Sequence, residues 1–304
     1  MPAPLLSRVA WVDGRYVGHA DAYAVHVEDR GYQFADGVYE VIHVEDGRLV
    51  DEGPHLDRLD RSLGELAIPA PMARRPLQRV LREVARRNGV AHGLVYLQVT
   101  RGIARRRHAF PADARPVMVV TARSEPGPEP SLLEEGVAVV TLPDQRWARC
   151  DIKSVALLAN VLAKQAAAAA GAAEAWLVDR DGMVTEGGSS NAWIVTTDGR
   201  LVTRPADNAI LDGITRRTLL ALAAGQGLTV DLRGFSPEEA RGAREAFFSN
   251  SSSWVMPVTR IDDAVVANGR AGSLSRALNA AYLERLGGLP RMAAGLPPVA
   301  GGTR

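Results

Sequence analysis

A chain of 304 residues, 46% hydrophobic and 23% charged, has the composition of a folded globular protein and not of a disordered one, and its length suits one large domain or two. Its 36 Lys and Arg against 35 Asp and Glu leave a formal charge of +1, which excludes a global field that would recruit nucleic acid or an anionic membrane. No apolar stretch is long enough to cross a membrane, the opening MPAPLLSRVAWVDGRYVG lacks a secretory pattern, and the lone Cys150 excludes an intrachain disulfide framework, so a cytoplasmic protein is expected.

The chain opens with a predicted hairpin, strands Arg8 to Val12 and Arg15 to Val17 around Asp13-Gly14, a dipeptide that favours a type I′ turn. A second hairpin follows at Gly37 to Val44 and Arg48 to Val50, turning at Asp46-Gly47. Leu56, Leu59, Leu63 and Leu66 then recur at helical spacing, on a helix that carries Arg58. Another helix is expected from Pro76 to Arg87, stopped by Gly89, followed by strands at Leu94 to Thr100 and Val117 to Ala122.

SEPGPEP, residues 124–130, has the composition of a short stiff linker. We therefore expect an N-terminal α+β domain at 1–123, a linker at 124–130, a second domain at 131–286 and a flexible tail at 287–304. The second unit reads as a strand at Val137 to Leu142, an alanine-rich helix from Val155 to Ala170 stopped by Gly171, and short strands. Those strands, Glu174 to Val178, Met183 to Glu186, Ala192 to Val195 and Leu201 to Thr203, are expected to form an antiparallel meander. Helices near Ile214 to Ala224 and Leu274 to Arg285 flank a strand at Ala246 to Ser249. Strands and helices without strict βαβ alternation argue for an α+β architecture.

Three features of the second half carry chemistry together. Lys153 follows a strand-like segment and precedes a helix rich in Ala and Leu, where apolar walls favour a neutral, nucleophilic amine. Glu186 ends a strand just before Gly187-Gly188-Ser189-Ser190, where a carboxylate can face inward. Gly213-Ile214-Thr215 opens a helix with small residues and a hydroxyl, the makings of a phosphate site, and the serines at 249 and 251–253 offer further hydroxyls. An amine nucleophile, a carboxylate for a ring nitrogen and donors for a phosphate are the handles of pyridoxal 5′-phosphate.

CDIKS around Lys153, TEGGSSN around Glu186 and LDGITR around Thr215 resemble the class IV aminotransferases, a family that includes branched-chain aminotransferases and aminodeoxychorismate lyase. DRGYQFADGVYEV (29–41), HLDRL (55–59), VTRG (99–102) and RWARCDIKS (146–154) are similar to the bacterial D-amino-acid transaminase subgroup. The resemblance covers nearly the whole chain. It implies a two-domain fold type IV enzyme, with a small N-terminal α/β sandwich and a larger domain built on a β-pseudobarrel flanked by helices. It also implies that Lys153 is the Schiff-base lysine and the proton shuttle. Glu186 would pair with the pyridine nitrogen, Leu211 would pack against the ring, and Arg58, the backbone at Ile214 and Thr215 and a hydroxyl from Ser251 would hold the phosphate.

The loop RGIARRRHAFP (101–111) resembles the one from which D-amino-acid transaminases bind the substrate carboxylate, which implies Arg106 and His108, with Tyr39 as a third member. Arg105 and Arg107 flank Arg106 closely enough to compete for its role. In the family this loop serves the neighbouring subunit, which implies a homodimer. The implied reaction is ping-pong transamination of D-amino acids, such as D-alanine and D-glutamate, with 2-oxo acids such as 2-oxoglutarate and pyruvate. Branched-chain, (R)-amine or lyase activity on the same fold is the alternative. Gly188 and Asn250 depart from the pattern where hydroxyl residues are expected, and His43 falls at a strand position that borders the side-chain pocket.

Overall fold

A computed structural model of the chain describes residues 8–21, 25–113 and 115–287. The first hairpin pairs β1 (Val9–Val12) with β2 (Arg15–Gly18), and Asp13 and Gly14 take φ of 40° and 97°, as a type I′ turn requires. A short helix α1 (Arg30–Phe34) is capped by the Asp29 carboxylate. The second hairpin, β3 (Gly37–Glu45) with β4 (Arg48–Leu49), repeats the turn at Asp46 and Gly47. Helices α2 (Glu52–Glu65) and α3 (Arg74–Arg87) follow, then β5 (Gly93–Thr100) and β6 (Val117–Ser124).

The six strands form an antiparallel sheet in the order β2-β1-β6-β5-β3-β4. Alternation along β3 puts Val38, Ile42 and Val44 on one face, against Leu56, Leu59 and Leu63 of α2 and Leu77, Leu81 and Val84 of α3. The opposite face, with Tyr39 and Val41, is left for the rest of the molecule. Residues 125–129 carry no regular element.

After them come α4 (Pro130–Glu135), β7 (Val137–Pro143), α5 (Leu158–Ala169), β8 (Glu174–Val178), β9 (Val184–Gly187), β10 (Asn191–Val195) and β11 (Leu201–Thr203). The chain continues through α6 (Ile214–Gly225), β12 (Val230–Leu232), α7 (Pro237–Arg241), β13 (Glu245–Asn250), β14 (Trp254–Ile261), β15 (Ala264–Val265) and α8 (Ser273–Gly287). The second sheet runs β12-β11-β10-β13-β14-β7-β8-β9, with β15 on β14.

The expected meander is not formed. The hairpins β8–β9 and β10–β11 exist, but β10 pairs with β13 in the register Trp193 to Phe247, and β9 ends the sheet. Residues 188–190 alone connect β9 to β10, although β13, β14, β7 and β8 lie between them in the sheet. A connection that short forces the sheet to curl back on itself into a half-barrel, within the expected α+β architecture. Parallel pairs β7–β8 and β11–β12 are bridged by α5 and α6.

One side of the curled sheet packs Trp193, Phe247 and Val255 against Leu219 of α6 and Leu278 and Tyr282 of α8, with the Trp193 and Phe247 rings stacked at 5.5 Å. Its other side encloses Trp176, Ile194, Phe235 and Phe248. The alanines of α5 have a packing purpose. Ala163 and Ala167 sit directly on Ala175 and Leu177 of β8, so helix and strand approach closely.

The helix after Lys153 starts at Leu158 and not at Val155, because Val155 donates its N–H to the carbonyl of Gly37 at 3.0 Å. No helix among the described residues is long and apolar enough to cross a membrane. The tail expected from residue 287 lies, beyond Gly287, outside the described residues.

Candidate active site

A cavity of about 300 Å³ opens where the free face of the first sheet meets the 146–160 segment, β9, the start of α6 and the serine loop after β13. Tyr39, Arg58, Lys153, Glu186, Leu211, Ile214, Thr215 and Ser251, eight of the expected site residues, all line it.

Lys153 is placed by the first sheet. Its carbonyl accepts from Tyr39 N–H at 3.0 Å, Ser154 bridges Val38, and Ser62 of α2 reaches the Lys153 N–H. These bonds hold residues 153–155 beside β3. The amine stands 4.2 Å from the centroid of the Tyr39 ring, which itself stacks on Tyr96 at 5.7 Å. The aromatic face beside Nζ fixes the side chain's direction.

Glu186 is buried and accepts three donors, Arg146, Asn191 Nδ2 at 3.1 Å and the N–H of Leu211 at 3.1 Å. Burial nevertheless pushes its carboxyl up to about 7, against the opposing pull of Arg146, the Leu211 N–H and Lys153. A buried carboxyl so placed gains from a further cation. Arg146 is anchored by Asp144 at 2.7 Å and by the carbonyl of Ala209, and Thr185 donates to the same Asp144. Desolvation works against the Arg146 charge, but Asp144 and Glu186 outweigh it and raise its pKa.

Arg58 projects from α2 into a buried ionic knot. Its Nε and Nη2 each donate to Glu40 at 2.8 Å, a two-pronged pairing, and Nη1 reaches the carbonyl of Asp212 at 3.0 Å. His55 shares the same Glu40 at 2.8 Å. Burial opposes the charge on Glu40, yet Arg58 and His55 together bring its carboxyl down to about 2. Burial depresses His55, although Glu40 pulls the other way. Neither Glu40 nor His55 was among the expected residues.

The α6 N-terminus has Gly213 as its cap residue with no side-chain cap, and Gly213, Ile214 and Thr215 line the cavity. A Cβ at Gly213 would meet Asn191 Oδ1 at 2.1 Å, so only glycine lets the helix start this close to Asn191. Asn250 departs from a hydroxyl with a purpose. Its Oδ1 accepts from Ser252 N–H, Ser252 Oγ and Ser253 N–H at 3.0, 3.1 and 2.6 Å, folding the serine loop around itself.

The loop at Gly188 is also occupied. Ser189 and Ser190 both donate to buried Glu174 at 3.0 Å, and a Cβ at Gly188 would stand 3.1 Å from the same carboxylate. Leu211 is half-buried against the cavity and is not a core leucine. His43 does not line the cavity. It is buried, bonded to Glu45 at 3.0 Å and edge-on to Trp254.

Arg106 and His108 are not brought into this cavity. Both are exposed on a separate ridge, and both lie against Phe34, at 4.8 and 5.3 Å. Buried Arg30 fixes the loop from below, donating to the carbonyls of Arg107 and His108 and to Asp36 at 2.7 Å. Arg101 closes the same knot on Asp36 and lies 3.5 Å from the Phe110 ring centroid.

A nucleophilic amine, a buried carboxyl short of positive charge, and an arginine beside open helix N–H groups fit pyridoxal 5′-phosphate at its carbonyl, ring nitrogen and phosphate. Residues 37–261 match the family described as amino-transferase class IV, and the chain belongs to that family of pyridoxal-phosphate-dependent transaminases. It is 39% identical to a D-alanine aminotransferase of Staphylococcus epidermidis over 273 residues, 90% of this chain and 95% of the relative. A D-alanine aminotransferase of Bacillus licheniformis is 40% identical, over 87% of this chain and 92% of its own. Among solved structures, the T.th. branched-chain amino acid aminotransferase with pyridoxamine 5′-phosphate superposes with a TM-score of 0.84 at 25% identity, over 93% of this chain and 95% of its own.

Proposed function

We propose that this enzyme transfers the amino group of D-amino acids, D-alanine and D-glutamate among them, to 2-oxo acids such as 2-oxoglutarate and pyruvate. The observation that carries the chemistry is the convergence of Lys153, Glu186, Arg58 and the α6 N-terminus on one cavity. The D-alanine aminotransferases that align along most of the chain support the stereochemistry. When bound, the cofactor supplies a carbonyl for amines and an electron-accepting ring.

Lys153 anchors the cofactor through its amine. Once the substrate amine had displaced it, its Nζ would take the proton from the substrate α-carbon and return it two atoms along, across the nitrogen, to the carbon that was the cofactor's carbonyl, the general base and acid being one group. Glu186 would pair with the ring nitrogen and keep a proton on it, with Arg146 and Asn191 orienting the carboxylate. Arg58, aligned by Glu40, and the N–H groups of Ile214 and Thr215 with Ser251 Oγ receive the phosphate. Leu211 limits ring tilt.

Arg106, His108 and Tyr39 form the substrate carboxylate trap. Arg106 and His108 both lie against Phe34, which favours them as a pair over Arg105 or Arg107. Because both stand outside their own cavity, they act on a second copy of the chain, in a homodimer. Exposed Leu158, Val161 and Leu162 beside the cavity, and Val25, Val27, Ile103 and Phe110 near the arginine loop, offer apolar surface for that association. The 124–130 segment divides the two units, and the setting is the cytoplasm.

The test is stereochemical. Loaded enzyme mixed with D-alanine loses its cofactor absorbance band to the pyridoxamine form, and L-alanine leaves the band in place. Conversion by L-leucine but not by D-alanine would replace this reading with a branched-chain aminotransferase.

A further inference from the structure

We propose that Arg123 recognises the distal carboxylate of dicarboxylic substrates, D-glutamate and 2-oxoglutarate, a reading that rests on the D-transaminase assignment above. The sheet register sets its place. His43, Leu94 and Arg123 form one row across β3, β5 and β6, four residues along β3 from Tyr39. At the rise of a β-strand this is roughly 13 Å from the Tyr39 row, a span that a five-carbon substrate and an arginine arm cover together.

The cavity reaches both rows. Tyr39 and Lys153 line one end, and Leu94, Arg123 and Glu125 line the other, with Val41 between them. The apolar Val41 and Leu94 suit a methylene spacer, and the guanidinium beyond them suits a charge.

The other cations of the wall are engaged. Arg58 is held by Glu40 and the Asp212 carbonyl, Arg146 by Asp144 and Glu186, and Lys153 is the nucleophile. Arg123 donates only Nε, to Glu125 at 2.7 Å, and its Nη1 and Nη2 have no acceptor among the described residues. Glu125 therefore fixes the plane of the guanidinium while the terminal fork stays open to a carboxylate. The side chain is 49% exposed, so it remains hydrated until a substrate arrives.

The experiment compares kcat/KM for D-glutamate and D-alanine in the loaded wild-type enzyme and in Arg123→Ala and Arg123→Glu. The D-glutamate to D-alanine ratio falls about ten-fold in Arg123→Ala, mainly through KM, the worth of one partly exposed charge-assisted hydrogen bond. It falls further in Arg123→Glu, and the 2-oxoglutarate to pyruvate acceptor ratio falls alongside. Being half-exposed, the position tolerates both changes without unfolding. An unchanged ratio in both variants, or a gain for D-glutamate, overturns the assignment while leaving transamination intact. A wild-type enzyme that converts neither D-amino acid overturns the D-transaminase reading itself, and this inference with it.

Discussion

Glu186 makes the cofactor-free protein sensitive to pH in a calculable way. Its carboxyl titrates near 7 in the folded chain against 4.5 in the ordinary case, because burial disfavours its charge more than Arg146 favours it. The folded state thus keeps a proton that the unfolded chain has already released. The contribution is complete below pH 4.5 and is lost as pH rises through 7. A difference of about 2.5 units, at 1.36 kcal/mol each, amounts to about 3 kcal/mol. Urea unfolding of cofactor-free wild type and Glu186→Gln at pH 5 and pH 8 isolates this term, since every other group titrates alike in both. Wild type loses about 2.5 kcal/mol more than the variant between these values, since the unfolded carboxyl is already partly ionised at pH 5. Saturation with pyridoxal phosphate abolishes the difference, because the ring nitrogen supplies the missing cation. Parallel profiles for the two cofactor-free proteins would refute the reasoning.

Arg58→Ala leaves the buried Glu40 carboxylate without its guanidinium and with His55 as its remaining partner, so we expect about 3–5 kcal/mol lower stability in urea together with weaker cofactor retention on dialysis. Arg58→Lys keeps the charge without the fork and falls between the two. Gly213→Ala drives a Cβ into Asn191, which also holds Glu186 and the Leu211 carbonyl, and cofactor titration should show reduced affinity with little change in fold. Lys153→Ala and Arg106→Ala are each inactive or nearly so as pure proteins. Unfolded together and refolded as a mixture, they regain activity, because one of the two sites in a mixed dimer receives an intact Lys153 and an intact arginine loop. No recovery would mean that Arg106 serves its own subunit.

Much of the first sheet is legible in the sequence because its turns are local. Asp13-Gly14 and Asp46-Gly47 accept positive φ at both positions, and each fixes a hairpin without help from distant residues. The eight-residue β14 is not legible. It has no alternation, since Val255 to Val258 are all buried, and it contains Pro257, which argues against a central strand. Pro257 is tolerated because pairing with β7 begins only at Val258. The place of β10 is set by Phe247 and its neighbours some fifty residues later, which no local pattern reports. In the site, motif spacing locates Lys153 and Glu186, whereas Arg146 and Asn191 meet Glu186 only in three dimensions. Glu40 did leave a signal. It stands on the face of β3 that otherwise carries Val38, Ile42 and Val44, where an acid has to find a partner, and His55 and Arg58 on α2 are that partner.

Lys153 belongs to the second half by sequence and to the first sheet by hydrogen bonding, since residues 153–155 run beside β3. Lys153 and Tyr39 are therefore tied to the first sheet, while Glu186 and the α6 N-terminus belong to the second. Any relative sliding of the two sheets leaves the amine in register with the tyrosine and alters its separation from the carboxyl and the phosphate cradle. A cofactor held at its carbonyl by Lys153 and at its ring nitrogen by Glu186 would act as a cross-brace between the two sheets. Loading the enzyme should accordingly slow hydrogen exchange along β3 and β9 together, although no backbone bond joins these two strands.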